Sequence, residues 1–140
     1  MDQQQFFEVM GTGTHQQKMD YLLELESIFD SYNRKIAHAE EIIIELLKLI
    51  IKIQDDELTD QMMQVVCSAE ISQDLQNVNF DILAKNIDKL SEKALPVAIR
   101  ILNYTYDKKY ISLIQTFTLS KNAKIRDAAQ EALKEFDMIN

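Results

Sequence analysis

Glycine and proline are scarce in this sequence, and their scarcity excludes several kinds of fold. The chain contains two glycines and one proline in 140 residues, where average usage would give about ten and about seven. Sheet-rich sandwiches and barrels need frequent turns, which draw on both residue types, and dinucleotide and P-loop folds need clusters of glycine. The sequence therefore predicts an all-α protein, and its length fits a single domain over residues 1–140.

Residues that commonly hold metals or carry out catalysis are also few. The chain has two histidines, one cysteine and no tryptophan. Neither His15 nor His38 has a second histidine or cysteine at the spacing of a zinc site. Cys67 follows two valines, as a buried apolar residue would, and a single cysteine cannot form an internal disulfide, which suits a reducing compartment. We therefore expect no enzyme activity, no cofactor and no metal.

A long hydrophobic run is missing as well. The most apolar segment extends from Ile42 to Ile53 and is interrupted by Glu45, Lys48 and Lys52, and about 12 residues are too few to span a bilayer. The N-terminal residues lack the basic region and apolar run of a signal peptide. We therefore expect a cytoplasmic protein that makes no membrane contact.

Negative charge is concentrated in the first half of the chain. Residues 1–78 carry 15 acidic and 5 basic side chains, whereas residues 79–140 carry 8 acidic and 10 basic side chains. Such an excess of one sign keeps a protein soluble, and it also suits an acidic surface that meets a basic partner. Binding of nucleic acid by the first half is disfavoured, because that half would repel phosphates.

A basic and tyrosine-rich stretch lies late in the chain. It combines Tyr104, Tyr106 and Tyr110 with a set of basic residues, which are Lys108, Lys109, Lys121, Lys124 and Arg126. Basic side chains beside aromatic ones are typical of nucleic-acid contacts, but the chain as a whole is acidic, and tyrosine is enriched at protein interfaces. We therefore expect Tyr104 and Tyr106 to contact a protein partner, and we expect no nucleic acid.

Apolar residues recur at helical spacing along most of the sequence. Thr14 and Gln17 form the pattern of a capping box at the start of a helix, and proline fits only the first turn of a helix, so that Pro96 places a helix start close to Ala94. Residues 1–13 are either a short helix or a flexible segment. The predicted helices cover residues 15–31, 33 or 34–54, 55–71, 80–90, 91–102, 110–119 and 123–136, and residues 72–79 form a connection. The helix that contains residues 42–53 is apolar on all sides but one, so we expect it to be central.

One segment resembles a known repeat family. Residues 125–133 read IRDAAQEAL, which is similar to the second helix of a HEAT repeat: an aliphatic residue, arginine, two small alanines and leucine at fixed spacing. Residues 110–117 would then be the first helix of that repeat, and residues 80–102 form a more degenerate pair. Residues 122–123 are Asn-Ala, where the family often has Asp-Pro, and Asn122 can still cap the helix. The resemblance implies six or seven helices in antiparallel pairs, arranged as a short HEAT- or armadillo-like right-handed superhelical array.

Helical arrays of this kind usually hold partners on their surface. We therefore expect a non-enzymatic protein–protein interaction module that acts as a scaffold or adaptor. The alternative is a small acidic inhibitor of a basic toxin enzyme, similar by class to the bacterial immunity proteins. The acidic cluster at residues 55–60 should open a helix, where the helix dipole favours negative charge. The candidate partner-binding residues are Asp55, Asp56, Glu57, Asp60, Tyr104 and Tyr106; the sequence names neither the partner nor the oligomeric state.

Overall fold

The computed structural model describes residues 3–31 and 35–138, and within these ranges it contains helices and turns but no strand. The all-α prediction is therefore confirmed. Six or seven helices were expected, and the described residues form eight, because the N-terminal segment is itself helical. The helices are α1 (Gln3–Thr12), α2 (His15–Asp30), α3 (Ala39–Lys52), α4 (Asp56–Ser72), α5 (Asp81–Lys85), α6 (Leu95–Tyr104), α7 (Ile111–Thr116) and α8 (Ala123–Met138).

The chain divides into two compact units, Met1–Asn79 and Phe80–Asn140. The first contains α1 to α4 and the second contains α5 to α8. The boundary between the units coincides with the position where the sequence changes from strongly acidic to slightly basic. The charge asymmetry therefore separates two structural units. A single domain over residues 1–140 stays a prediction.

The core of the first unit is built around α4. This helix packs against both α2 and α3, while α1 packs against α2. Its buried residues surround the helix in the middle turns and include Met62, Val66 and Cys67. The expectation that α3 is central was wrong, because Ile44 and Ile51 on its outer side are only half-buried. Burial of one aliphatic side chain contributes about 1.5–3 kcal/mol to the free energy of folding. The buried residues on one face of α3 are therefore sufficient to hold this helix against α4.

The start of α3 lies later in the chain than predicted. Residues 35–38 are not helical, and His38 has a φ of 61°. A left-handed residue of this kind cannot continue an α-helix, so α3 begins at Ala39. The backbone N–H of the buried Ile36 donates to Oε1 of Gln73, at 2.8 Å. The predicted starting positions 33 and 34 lie outside the described residues.

The second unit has shorter helices with 3₁₀ turns between them. The predicted helix at residues 80–90 is broken at Asn86, whose Nδ2 donates to the carbonyl of Ile82, and a 3₁₀ turn follows at Ile87–Lys89. The predicted helix at residues 110–119 is likewise flanked by 3₁₀ turns at Lys108–Tyr110 and Phe117–Leu119. Pro96 lies in the first turn of α6, as predicted.

The segment that resembles a HEAT repeat forms α8, which packs against α6 and α7. The small residues Ala129 and Ala132 are buried, as is Ile125, so neighbouring backbones can approach α8 closely. Asn122 caps the helix, because its Oδ1 accepts from the backbone N–H of Lys124 at 2.9 Å. Arg126 donates to the carbonyl of Ser120 in the preceding turn, at 3.1 Å. The superhelical HEAT-like arrangement stays a prediction.

Candidate partner-binding site

The acidic cluster at residues 55–60 opens α4, as the sequence predicted. Asp55 is the N-cap, and its Oδ1 accepts from the backbone N–H of Leu58 at 3.2 Å. This hydrogen bond and the neighbouring His15 hold the pKa of the Asp55 carboxyl below its usual value. Asp55 thus stabilises the start of a helix, whatever else it contacts.

His15, the first residue of α2, binds two members of the same cluster. Its Nδ1 lies 2.8 Å from Oδ2 of Asp55, and its Nε2 lies 3.1 Å from Oε1 of Glu57. The hydrogen bonds that the ring donates to Glu57 and, to a smaller extent, to Asp55 raise the pKa of the His15 imidazole. Only the doubly protonated ring can donate to both carboxylates. This contact could not be predicted from the sequence, because the residues lie about 40 positions apart.

The four acidic candidates are therefore not equivalent. Asp55 and Glu57 join the starts of α2 and α4 through His15, and Asp60 is half-buried, whereas Asp56 is exposed. A role in partner binding stays a prediction for all four. Among them, Asp56 can be changed with the least effect on internal contacts.

A groove of about 480 Å³ lies between α1 and α2 in the same unit. The exposed carboxylates of Glu8, Asp20 and Glu24 line it, and the half-buried side chains of Val9 and Tyr21 also contribute to its wall. Positions 20 and 24 are one helical turn apart, so their side chains lie on one face of α2. The groove thus combines negative charge with an apolar surface. The groove could not be predicted from the sequence, because no pattern of residues indicates how α1 and α2 pack.

Gly13 allows the chain to pass from α1 into α2 within two residues. Its N–H donates to the carbonyl of Val9 at 2.8 Å, and a Cβ at Gly13 would lie only 2.6 Å from that carbonyl oxygen. Thr14 then begins α2 with the predicted capping box: its Oγ1 accepts from the N–H of Gln17, and its own N–H donates to Oε1 of Gln17 at 2.8 Å. These contacts fix the turn between α1 and α2, the two helices that line the groove.

The two tyrosine candidates lie at the end of α6 in the second unit. Tyr104 is half-buried, whereas Tyr106 is 53% exposed and has a φ of 53°. A left-handed conformation costs a tyrosine about 1–2 kcal/mol, and the turn is held by hydrogen bonds from the N–H of Tyr106 to the carbonyl of Asn103 and from the N–H of Asp107 to Oγ1 of Thr105. Strained exposed residues are often found at functional sites. The contact of Tyr106 with a partner stays a prediction.

The nearby lysine and tyrosine of the basic stretch are used inside the second unit. The hydroxyl of Tyr110 donates to Oδ1 of Asp81 at 2.7 Å, and Nζ of Lys109 lies 3.1 Å from the same oxygen. These two contacts lower the pKa of Asp81, while burial and Asp81 raise the pKa of the Tyr110 hydroxyl. Lys109 is therefore neutralised locally.

Glu70 on α4 has an unusual environment that sequence analysis missed. The residue is half-buried, and its Oε1 is buried without a hydrogen-bond partner. Loss of solvent raises the pKa of this carboxyl to about 9, so the side chain is protonated at neutral pH. Glu70 lies between the buried Ala69 and the 75% exposed Ile71, and the sequence pattern does not distinguish it from a solvated glutamate.

The part of the chain that the structure describes contains neither a cluster of metal ligands nor a membrane-spanning helix. No group of three histidine, cysteine, aspartate or glutamate side chains among these residues could hold a metal ion. Asp55 and Glu57 lie at opposite nitrogens of His15, so the three side chains do not converge on one point. None of the helices over residues 3–31 and 35–138 is both long enough and apolar enough to cross a membrane.

Comparison with known proteins gives no relative for this chain: no protein-family model matches it, and neither curated proteins nor solved structures give a match. The resemblance to HEAT repeats and the similarity in class to immunity proteins therefore stay predictions. Function has to be inferred from the charge, exposure and contacts of the residues themselves.

Proposed function

We propose that this protein is a non-enzymatic protein–protein interaction module that acts as a scaffold or adaptor, and that its first unit receives a basic partner. The observation that carries the proposal is the coincidence of charge and structure. The 15 acidic and 5 basic residues of the sequence before position 79 all belong to one compact unit. The second unit has a small excess of basic residues.

A strongly negative unit attracts a basic protein before the two surfaces touch. Complementary charge raises association rate constants by about 10- to 1,000-fold at low salt. Several carboxylates of the first unit, including those of Asp30 and Asp56, are exposed and are therefore accessible to a partner. The exposed, strained Tyr106 of the second unit is a further candidate contact, because tyrosine is often a major contributor to binding energy.

The same charge supports the alternative function of an acidic inhibitor that covers a basic enzyme. The two functions differ in what happens to the partner. An adaptor leaves the activity of a bound enzyme intact, whereas an inhibitor abolishes it at stoichiometric concentration. A cytoplasmic location is part of both proposals.

The test begins with the full-length protein cross-linked to its partner in the cells that produce it, followed by purification of that partner. Association of the purified pair is then measured in salt from roughly 50 to 500 mM, where screening becomes strong. We expect the partner to be basic and the association rate constant to fall about tenfold or more. A rate constant that does not change with salt contradicts the proposal.

Matched charge reversals locate the effect. Asp30→Lys with Asp56→Lys changes exposed positions of the first unit, and Asp88→Lys with Glu92→Lys changes exposed positions of the second by the same net charge. The first pair should slow association about three- to tenfold at low salt, and the second pair should have a smaller effect. Equal effects of both pairs would show that the first unit has no special role.

A further inference from the structure

We propose that the groove between α1 and α2 is the docking site for a lysine- or arginine-rich segment of the partner. This inference rests on the proposed function, and it names the part of the acidic unit that contacts the partner. The groove has Gly13, which lies between the two helices in the chain, as part of its wall. Its volume of about 480 Å³ lies within the range of about 300–1,000 Å³ that is usual for ligand pockets.

The charged rim of the groove suits cationic side chains. Glu8 and Glu24 form no ion pair within residues 3–31 and 35–138, so their carboxylates are available to an incoming ammonium or guanidinium group. Oδ1 of Asp20 accepts from Nε2 of Gln16 at 2.8 Å, which leaves its second oxygen able to accept from a partner. Carboxylates contributed by both helices can thus contact successive cations of one segment.

The apolar part of the groove suits the carbon chains of the same residues. Lysine and arginine place their methylene groups along apolar surface while the charged end stays in water, and an aromatic ring attracts a cation placed over its face. Val9 and Tyr21 supply this surface. The ring of Tyr21 is supported by the fully buried Phe6, with 6.2 Å between the ring centroids. The site is therefore formed before the partner arrives, which lowers the entropic cost of binding.

The direct test uses the full chain and a dye-labelled peptide of about ten residues with alternating lysine and alanine, with binding followed by fluorescence anisotropy at roughly 50 mM salt. The groove variant is Glu8→Gln, Asp20→Asn and Glu24→Gln. The control variant, Asp30→Asn, Glu41→Gln and Asp74→Asn, changes the net charge equally at exposed positions that lie outside the groove and are not among the candidate partner-binding residues. We expect the groove variant to weaken binding about tenfold and the control variant less than threefold.

A second comparison changes the shape of the groove without changing its charge. Gly13→Ala forces a Cβ against the carbonyl of Val9, whereas a Cβ at Gly11 meets no atom within 4 Å. We expect Gly13→Ala to weaken peptide binding threefold or more and Gly11→Ala to leave it unchanged. Thermal unfolding shows whether Gly13→Ala is folded, and the charge variants test the site independently if it is not.

Each outcome has a separate meaning. Equal weakening by the groove and control variants, or no binding of the lysine peptide at low salt, overturns the groove as the docking site. Equal binding of a glutamate–alanine peptide of the same length overturns it as well. The proposed function fails instead if the natural partner associates at a rate that salt and the first-unit charge reversals do not change, so the two failures are distinguishable.

Discussion

The two units of this protein hold their polar clusters together with different chemistry. In the first unit, the carboxylates of Asp55 and Glu57 share one imidazole, that of His15. In the second, Asp81 contacts Lys109 and the hydroxyl of Tyr110. A lysine is charged throughout the neutral pH range, whereas an imidazole loses its charge within it. The cluster of the first unit therefore depends on protonation, and that of the second does not.

A second difference concerns burial of charge. The first unit contains Glu70, a carboxyl with a buried oxygen that has no hydrogen-bond partner. In the second unit the buried Asn103 also has an oxygen without a hydrogen-bond partner, Oδ1, but its amide does not ionise. Its Nδ2 donates to Oε2 of Glu135, which joins α6 to α8. We infer that the stability of the first unit changes with pH near neutrality, and that the polar contacts of the second hold it together over the same range.

The largest expected effect comes from Glu70. Its pKa is raised in the folded state, from 4.5 to about 9, so its contribution to stability is fully present below pH 4.5 and is lost as pH rises toward about 9. Glu70→Gln has the same shape but does not ionise. We expect it to raise the free energy of unfolding by about 2–3 kcal/mol near pH 8 and to leave it nearly unchanged near pH 4.

Denaturant unfolding followed by circular dichroism at both pH values measures this effect. Glu41→Gln on α3 is the control, because Glu41 is an exposed glutamate of the same unit, and it should give no gain at either pH. A gain from Glu70→Gln that is equal at the two pH values would contradict the explanation, since it would arise from packing and not from ionisation.

A smaller effect is expected from a feature that the two units share: among the residues that the structure describes, each unit has one non-glycine residue with positive φ. His38 and Tyr106 have φ values of 61° and 53°. Glycine adopts this conformation without strain but loses more entropy on folding. We therefore expect His38→Gly and Tyr106→Gly each to raise the free energy of unfolding by about 0.5–1 kcal/mol.

The two glycine variants should differ in partner binding. Of the two candidate tyrosines, Tyr104 and Tyr106, the exposed one is Tyr106. We therefore expect Tyr106→Gly to be more stable than the natural protein but to bind the purified partner more weakly. His38→Gly should bind the partner normally. Tyr106→Phe keeps both the strain and the ring, so it should resemble the natural protein in both measurements. Unchanged binding by Tyr106→Gly would remove Tyr106 from the candidate contacts.

Local signals in the sequence were sufficient for most of the fold. The capping box of Thr14 and Gln17, the acidic start of α4 and the place of Pro96 each depend on residues within one helical turn, so their patterns can be recognised without a structure. The break at Asn86 and the late start of α3 were missed. Both depend on backbone conformations at single residues, to which helical periodicity is insensitive.

The functional features were harder to predict, because they depend on distant contacts. The acidic cluster was recognised as a candidate site, but its contact with His15 depends on how α2 packs against α4. The groove likewise depends on the packing of α1 against α2, and so does the requirement for glycine at position 13. Glu70 follows three small residues, Cys67, Ser68 and Ala69, and its burial is a property of the packed unit.

The smallest expected effect concerns His15, and it tests the comparison between the units most directly. The pKa of His15 is raised in the folded state, so its contacts contribute stability below pH 6.5 and lose that contribution as pH rises through the folded pKa. His15→Gln should therefore reduce stability near pH 5.5 more than near pH 8.5. Lys109→Gln in the second unit, where the pKa of the lysine is raised and that of Asp81 is lowered, should cause the same loss at both pH values. If the two variants showed the same dependence on pH, the imidazole would not be what distinguishes the first unit. An NMR titration that places the pKa of His15 at or below 6.5 would lead to the same conclusion.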